Sequence, residues 1–151
     1  MDILFCGTLL KSKNPPRFGN IFAVGHVHKC NCMRKIIVVE DDDDILFVVS
    51  YMLERNGYVV LPVVVGELVI EEVLRVKPDL ILMDINLRTC DGRELCLELK
   101  TKYLLQTPII LFSANVQLAP TVPLYKADGF ISKPFDMDEL VKTIHEHLST
   151  A

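Results

Sequence analysis

With 151 residues, half of them apolar, the chain has room for one domain with a single well-buried core and not for two ordinary ones. The formal charge of −4 hides a split: residues 1–32 carry four Lys/Arg and one acid, whereas the chain from Met33 onward carries twelve against nineteen, a net −7. An acidic body of this kind has no broad attraction for nucleic acid or for an anionic membrane surface, and it favours a cation or a basic protein patch as partner.

Five cysteines are an odd number, and Cys6, Cys30 and Cys32 precede Met33, so no disulfide framework is expected and Cys90 and Cys96 read as reduced thiols. The apolar run Ile3–Leu10 is too short to span a membrane and follows Asp2 rather than a basic segment, which argues against a signal peptide and for a cytoplasmic protein. Residues 11–32 hold a Pro pair and two Gly without helical or strand periodicity. Residues 1–32 are therefore expected to be a disordered extension or a non-native start, with the domain occupying residues 33–151. His26, His28, Cys30 and Cys32 stand at alternate positions and offer soft ligands for Zn²⁺ or Ni²⁺. Zinc modules pair their ligands across a turn, so this spacing is set aside.

From Lys35 onward, short β-branched apolar runs alternate with longer amphipathic stretches, the pattern of βα units on a parallel sheet. The expected strands are Lys35–Val39, Tyr58–Val65, Leu80–Met83, Ile109–Phe112 and Phe130–Ser132. The expected helices are Asp43–Asn56, Glu67–Lys77, Arg93–Leu105 and Asp138–Ser149, with a weaker one between the fourth and fifth strands. In the first, Ile45, Val48, Val49, Met52 and Leu53 share a face and Gly57 follows at the stop. In the last, Leu140, Val141, Ile144 and Leu148 do the same, and Asp136 with Glu139 has capping-box spacing. Pro62 cannot donate to a ladder, which puts the second strand at the edge of the sheet. Between the fourth and fifth strands, Pro120 and Pro123 each cost a helix interior roughly 3 kcal/mol, so a regular helix through both is not expected. Right-handed crossovers then give a doubly wound five-stranded parallel sheet of flavodoxin-like (βα)5 type, strand order 2-1-3-4-5.

Ligands of such sheets bind outside the carboxyl ends of the strands. The first strand ends on Glu40 and Asp41, the third on Asp84, the fourth on Ser113 and the fifth on Lys133. Three carboxylates share a small site only if cations compensate them, since like charges a few ångströms apart raise one another's pKa. Lys133 and a divalent metal meet that need, and an oxygen-only site with few protein ligands suits Mg²⁺. A carboxylate beside such a metal can attack phosphorus, and Asp84 is the central one. Asp43 and Asp44 read instead as solvated acids at a helix start, and His145 and His147 as solvent-facing.

The blocks KIIVVEDD, PDLILMDINLRTCDG, PIILFSAN and GFISKPF stand in the order found in response-regulator receiver domains, and the chain from Met33 to about Leu148 resembles that family. The resemblance implies Asp84 as phosphoacceptor, with Ser113 and Lys133 completing the catalytic set, and a Mg²⁺ site of Asp41, Asp84 and the Asn86 carbonyl, with Glu40 acting on the metal largely through water. It also implies Ser113 and Phe130 as the switch pair and a cis peptide at Lys133–Pro134. Arg88 stands where the family usually has proline, which is expected to loosen the loop after Asp84 without removing a chemical group. The function implied is that of a stand-alone receiver. It would take phosphate from a histidine kinase or phosphotransfer protein and signal through a separate downstream protein. Phosphorylation and dephosphorylation would be self-catalysed. A Mg²⁺-dependent aspartyl phosphatase of the haloacid-dehalogenase type is the rival, but it wants an acid where Asn86 stands. A phosphorylation-independent interaction module is the third possibility.

Overall fold

A computed structural model describes residues 33–149, and the expectations for residues 1–32, including those for His26, His28, Cys30 and Cys32, lie outside them. In chain order the elements are β1 (Lys35–Val39), α1 (Asp43–Arg55), β2 (Val59–Val63), α2 (Val69–Val76), β3 (Leu80–Asp84), α3 (Gly92–Thr101), β4 (Ile109–Ser113), a 3-10 segment (Val116–Tyr125), β5 (Gly129–Ser132) and α4 (Met137–Ser149), with a short 3-10 turn Gly66–Leu68 leading into α2. The five strands form one parallel sheet in the order β2-β1-β3-β4-β5, as expected. Pro62 sits on the edge strand β2, opposite Val38.

Side chains alternate across each strand, so a sheet covered on both sides needs apolar residues at consecutive positions. On one face Ile37, Val39, Ile81, Met83, Ile109 and Leu111 pack with Val69, Val73, Cys96 and Leu99 of α2 and α3. On the other, Ile36, Val38, Leu80, Leu82, Ile110 and Phe112 pack with α1 and α4. Each fully buried Leu or Ile contributes about 1.5–3 kcal/mol, which makes the two slabs the main stabilising element.

The local signals explain most element ends. The Asp42 carboxylate caps α1 by accepting from the Asp44 and Ile45 N–H groups, and Gly57 leaves the helix at φ +85°. Asp136 accepts from the Glu139 N–H at 2.7 Å, opening α4. Lys77 precedes Pro78, is barred from the right-handed helical region and adopts φ +50°, so α2 ends before it. Three expectations need correction. The buried stripe of α1 is Leu46, Val49 and Leu53, whereas Val48 is exposed; the helix is turned so that positions spaced by three and four residues meet the sheet. α3 stops at Thr101 rather than Leu105, because Leu104 turns to φ +49° and the Leu105 N–H closes on Leu99 O. His147 is half-buried, with Nδ1 2.8 Å from Thr143 O and Nε2 2.9 Å from Asp128 O. The two Pro residues have the expected effect: Val116–Tyr125 is a 3-10 segment and buries only Val122.

Candidate functional site

The carboxyl ends of β1, β3, β4 and β5 bring Glu40, Asp41, Asp84, Ser113 and Lys133 to one edge of the sheet. Glu40 is 1% exposed, and Asp84 and Ser113 are also buried. These positions follow from strand register: Asp84 lies opposite Phe112, and Ser113 opposite Ser132, next to Lys133. The loop after β3 is held tightly, since the Gly92 N–H donates to Ile85 O at 2.9 Å. A Cβ at Gly92 would lie 2.0 Å from Asp84 O, which explains why glycine opens α3.

Among the described residues, carboxylate oxygens of Glu40, Asp41 and Asp84 lie within 4.8 Å of one another. The Lys133 ammonium bridges two of them, at 2.6 Å from Glu40 Oε2 and 2.8 Å from Asp84 Oδ2. It also lies 4.2 Å from the centre of the Phe112 ring, which helps to hold the charge in a mostly buried position. Burial pushes the Glu40 carboxyl above its ordinary range; the Lys133 hydrogen bond pulls the other way and the charge of Asp84 adds to the rise. Lys133 faces two buried carboxylates and Arg88 pairs with Asp41, so the three acids still exceed their two cations by one. Hard oxygen donors with residual negative charge, partly open to water, are the donor set that Mg²⁺ takes, so these residues fit that ion.

Ser113 Oγ accepts from Asn86 Nδ2 and from the Asn115 N–H, both at 3.1 Å, which leaves its own O–H proton to offer. Asn86 also donates its N–H to Asp84 Oδ1 at 3.2 Å, tying the two strand ends together. Phe130, opposite Leu111 on β5, is half-buried against the slab of α2 and α3. The Lys133–Pro134 peptide is cis. Cys96 is a buried free thiol that burial pushes up to about 12, and burial also raises the free thiol of Cys90, so neither is suited to nucleophilic chemistry at neutral pH.

Two contributors escaped the sequence. The Asp42 N–H donates to Glu40 Oε1 at 3.1 Å, a backbone contact that no motif spells out. Arg88 does not loosen its loop: its N–H donates to Asp41 Oδ2 at 2.6 Å and its guanidinium to Asp41 O at 2.5 Å. The departure from proline was visible, but what the arginine would reach was not.

Comparison with known proteins agrees with this geometry. The family model described as "Response regulator receiver domain" matches residues 36–145. The BeF3-activated N-terminal receiver domain of RstA from Klebsiella pneumoniae is 29% identical with a TM-score of 0.70, covering 76% of this chain and 97% of that one. NtrX from Brucella abortus is 27% identical with a TM-score of 0.72, over 78% of this chain and 28% of that one. The chemotaxis response regulator CheY4 of Vibrio cholerae, 24% identical over 76% of this chain and 98% of that one with a TM-score of 0.71, shares the fold. No helix among the described residues is long and apolar enough to cross a membrane. The family match spans both halves of the sheet and every strand that ends in the acidic site, and the chain belongs to the response regulator receiver domain family.

Proposed function

We propose that this receiver accepts a phosphoryl group on Asp84 from the phosphohistidine of a histidine kinase or phosphotransfer protein, and that a separate protein in the cytoplasm reads the result. The observation that carries this is Lys133 held between Glu40 and Asp84, on the strand ends that also present Asp41 and Ser113. A carboxylate oxygen of Asp84 forms the new P–O bond as the donor's P–N bond breaks, and the departing imidazole nitrogen takes a proton. Glu40, Asp41, Asp84 and the Asn86 carbonyl would hold Mg²⁺, which when bound supplies positive charge for the phosphoryl oxygens. Lys133 pairs with a second phosphoryl oxygen and the Ser113 O–H donates to a third. Phe130, half-buried on the neighbouring strand β5 opposite Leu111, repacks as Ser113 moves toward the phosphoryl group. Water later cleaves the acyl phosphate, so the domain times a signal rather than turning over a substrate.

The test is intact-mass spectrometry of the full chain with Mg²⁺ and a small phosphoramidate donor. One added phosphoryl group is expected, absent in Asp84→Asn. Undiminished labelling of that variant would place the acceptor elsewhere, and catalytic hydrolysis of a generic phosphate ester would favour a phosphatase.

A further inference from the structure

Arg88 lies in the connection between β3 and α3, four residues after Asp84. Its backbone N–H donates to Asp41 Oδ2 at 2.6 Å, its Nε lies 3.3 Å from the same oxygen, and its Nη2 donates to the Asp41 backbone carbonyl at 2.5 Å. Lys133 pairs with Glu40 and Asp84. Two cations thus divide the three acids of the cluster, and Asp41 falls to Arg88. Among the described residues, Arg34 pairs with Asp79, Arg75 with Glu72 and Arg93 with Asp91, and Arg55 bonds to Tyr51.

The two cations differ in burial. The Lys133 side chain is 13% exposed and forms the floor of the site. The Arg88 side chain is 75% exposed, against 14% for Asp41, so it sits on the rim and can leave for water at little cost. A carboxylate offers about four lone-pair positions on its two oxygens; at Asp41 the Arg88 backbone N–H donates to Oδ2 and the guanidinium Nε pairs ionically with the same oxygen. A divalent ion arriving at Asp41 meets a carboxylate already neutralised and a guanidinium that repels it.

We infer that Arg88 is a resident counter-ion that competes with Mg²⁺ for Asp41 and so weakens the affinity of the acidic site for the metal. The inference rests on the Mg²⁺ site proposed above. The same contact ties the loop after β1 to the loop after β3, so metal entry exchanges a loop-to-loop latch for coordination. Arg88 is a positioning residue here: it acts on the metal through Asp41. Its effect is set by an exposed ion pair, which alters a competing equilibrium by about two- to fivefold at low salt and less as screening grows.

The experiment is isothermal titration of the full chain with MgCl₂ at low and high ionic strength, for wild type, Arg88→Gln, Arg88→Ala, Arg88→Lys and Asp41→Asn, with a thermal melt of each in metal-free buffer to establish folding. Arg88→Gln and Arg88→Ala are expected to bind Mg²⁺ about two- to fivefold more tightly than wild type at low salt, with a smaller gain at high salt. Arg88→Lys, which keeps the charge, is expected to stay near wild type. Whichever of the two neutral variants melts cooperatively decides the matter. Unchanged or weaker Mg²⁺ binding in it, while wild type binds and Asp41→Asn does not, would overturn the role of Arg88 and leave the metal site standing. Wild type that takes no Mg²⁺ would overturn both.

Discussion

The crossover from β1 to β2 and the crossover from β4 to β5 solve the same problem in different ways. The first is the thirteen-residue helix α1, capped by Asp42 and seated on the sheet through Leu46, Val49 and Leu53. The second is the ten-residue 3-10 segment Val116–Tyr125, which contains Pro120 and Pro123 and buries Val122 alone. Yet the chemistry at the shared edge is intact on both sides: Glu40 and Asp41 lie between β1 and α1, Ser113 ends β4 before the 3-10 segment, and Lys133 follows β5, its N–H donating to Ser113 O at 2.8 Å. The site is therefore held by strand ends and their ladder, and the crossovers are free to vary. The segment between β4 and β5 is instead tied down from the side by Arg93, whose guanidinium chelates Asp91, reaches Thr121 Oγ1 at 3.4 Å and stacks 5.0 Å from the centre of the Tyr125 ring.

If the strand ends carry the site, the heaviest loss follows from disturbing them. Lys133→Ala leaves the carboxylates of Glu40 and Asp84 buried without their ammonium, and should cost about 3 kcal/mol in urea unfolding at neutral pH, with part recovered by Asp84→Asn in the same chain. A cost near zero would show that water or the loops already screen the acids. Gly92→Ala comes next. The added Cβ must displace the Asp84 backbone or the start of α3, and a loss of about 2 kcal/mol is expected, together with weaker phosphoryl labelling of Asp84.

Smaller effects belong to the irregular crossover. Arg93→Ala should cost about 0.5–1 kcal/mol at neutral pH, a figure reduced for solvent screening because Asp91 is partly exposed. The hydrogen bonds from Arg93 hold the Asp91 carboxyl below its ordinary range. Stability from a depressed carboxyl is present above its unfolded pKa and disappears as pH falls through the folded one. The difference between wild type and Arg93→Ala should therefore shrink in acid, below the usual carboxylate range; a pH-independent gap would assign the loss to packing on Tyr125 alone. Least disruptive is a comparison of hydrogen exchange in the untouched protein. Amides of 117–126 should exchange at least about tenfold faster than those of 45–52, since a 3-10 segment with two prolines has few N–H groups in a continuous ladder. Equal protection would mean that Arg93 and Val122 hold the segment as firmly as the sheet holds α1.

Much of this was legible from local pattern. Consecutive apolar residues such as Ile36–Val39 require a strand covered on both faces, Pro62 requires an edge, and Pro120 with Pro123 exclude an α-helix. The cluster of Glu40, Asp41 and Asp84 was legible because the end of a parallel strand is a fixed place in space once strand order is known. The rotation of α1 was not, since Ile45, Leu46, Val48 and Val49 are all apolar and periodicity does not choose among neighbouring stripes. Nor was the seat of His147 against Asp128 O, which depends on where α4 crosses the sheet.

The sequence by itself determined the alternation of strands and helices, their stops at Gly57 and Pro78, the irregular crossover and the acids at the strand ends, because each is set by backbone sterics or by the periods of helix and strand. Tertiary structure alone decided how charge is shared among those acids. Lys133 reaches Glu40 across 93 residues and Arg88 reaches Asp41 across 47. Electrostatic pairing acts over a few ångströms of space, and no local rule of sequence says which cation will stand within that distance of which acid.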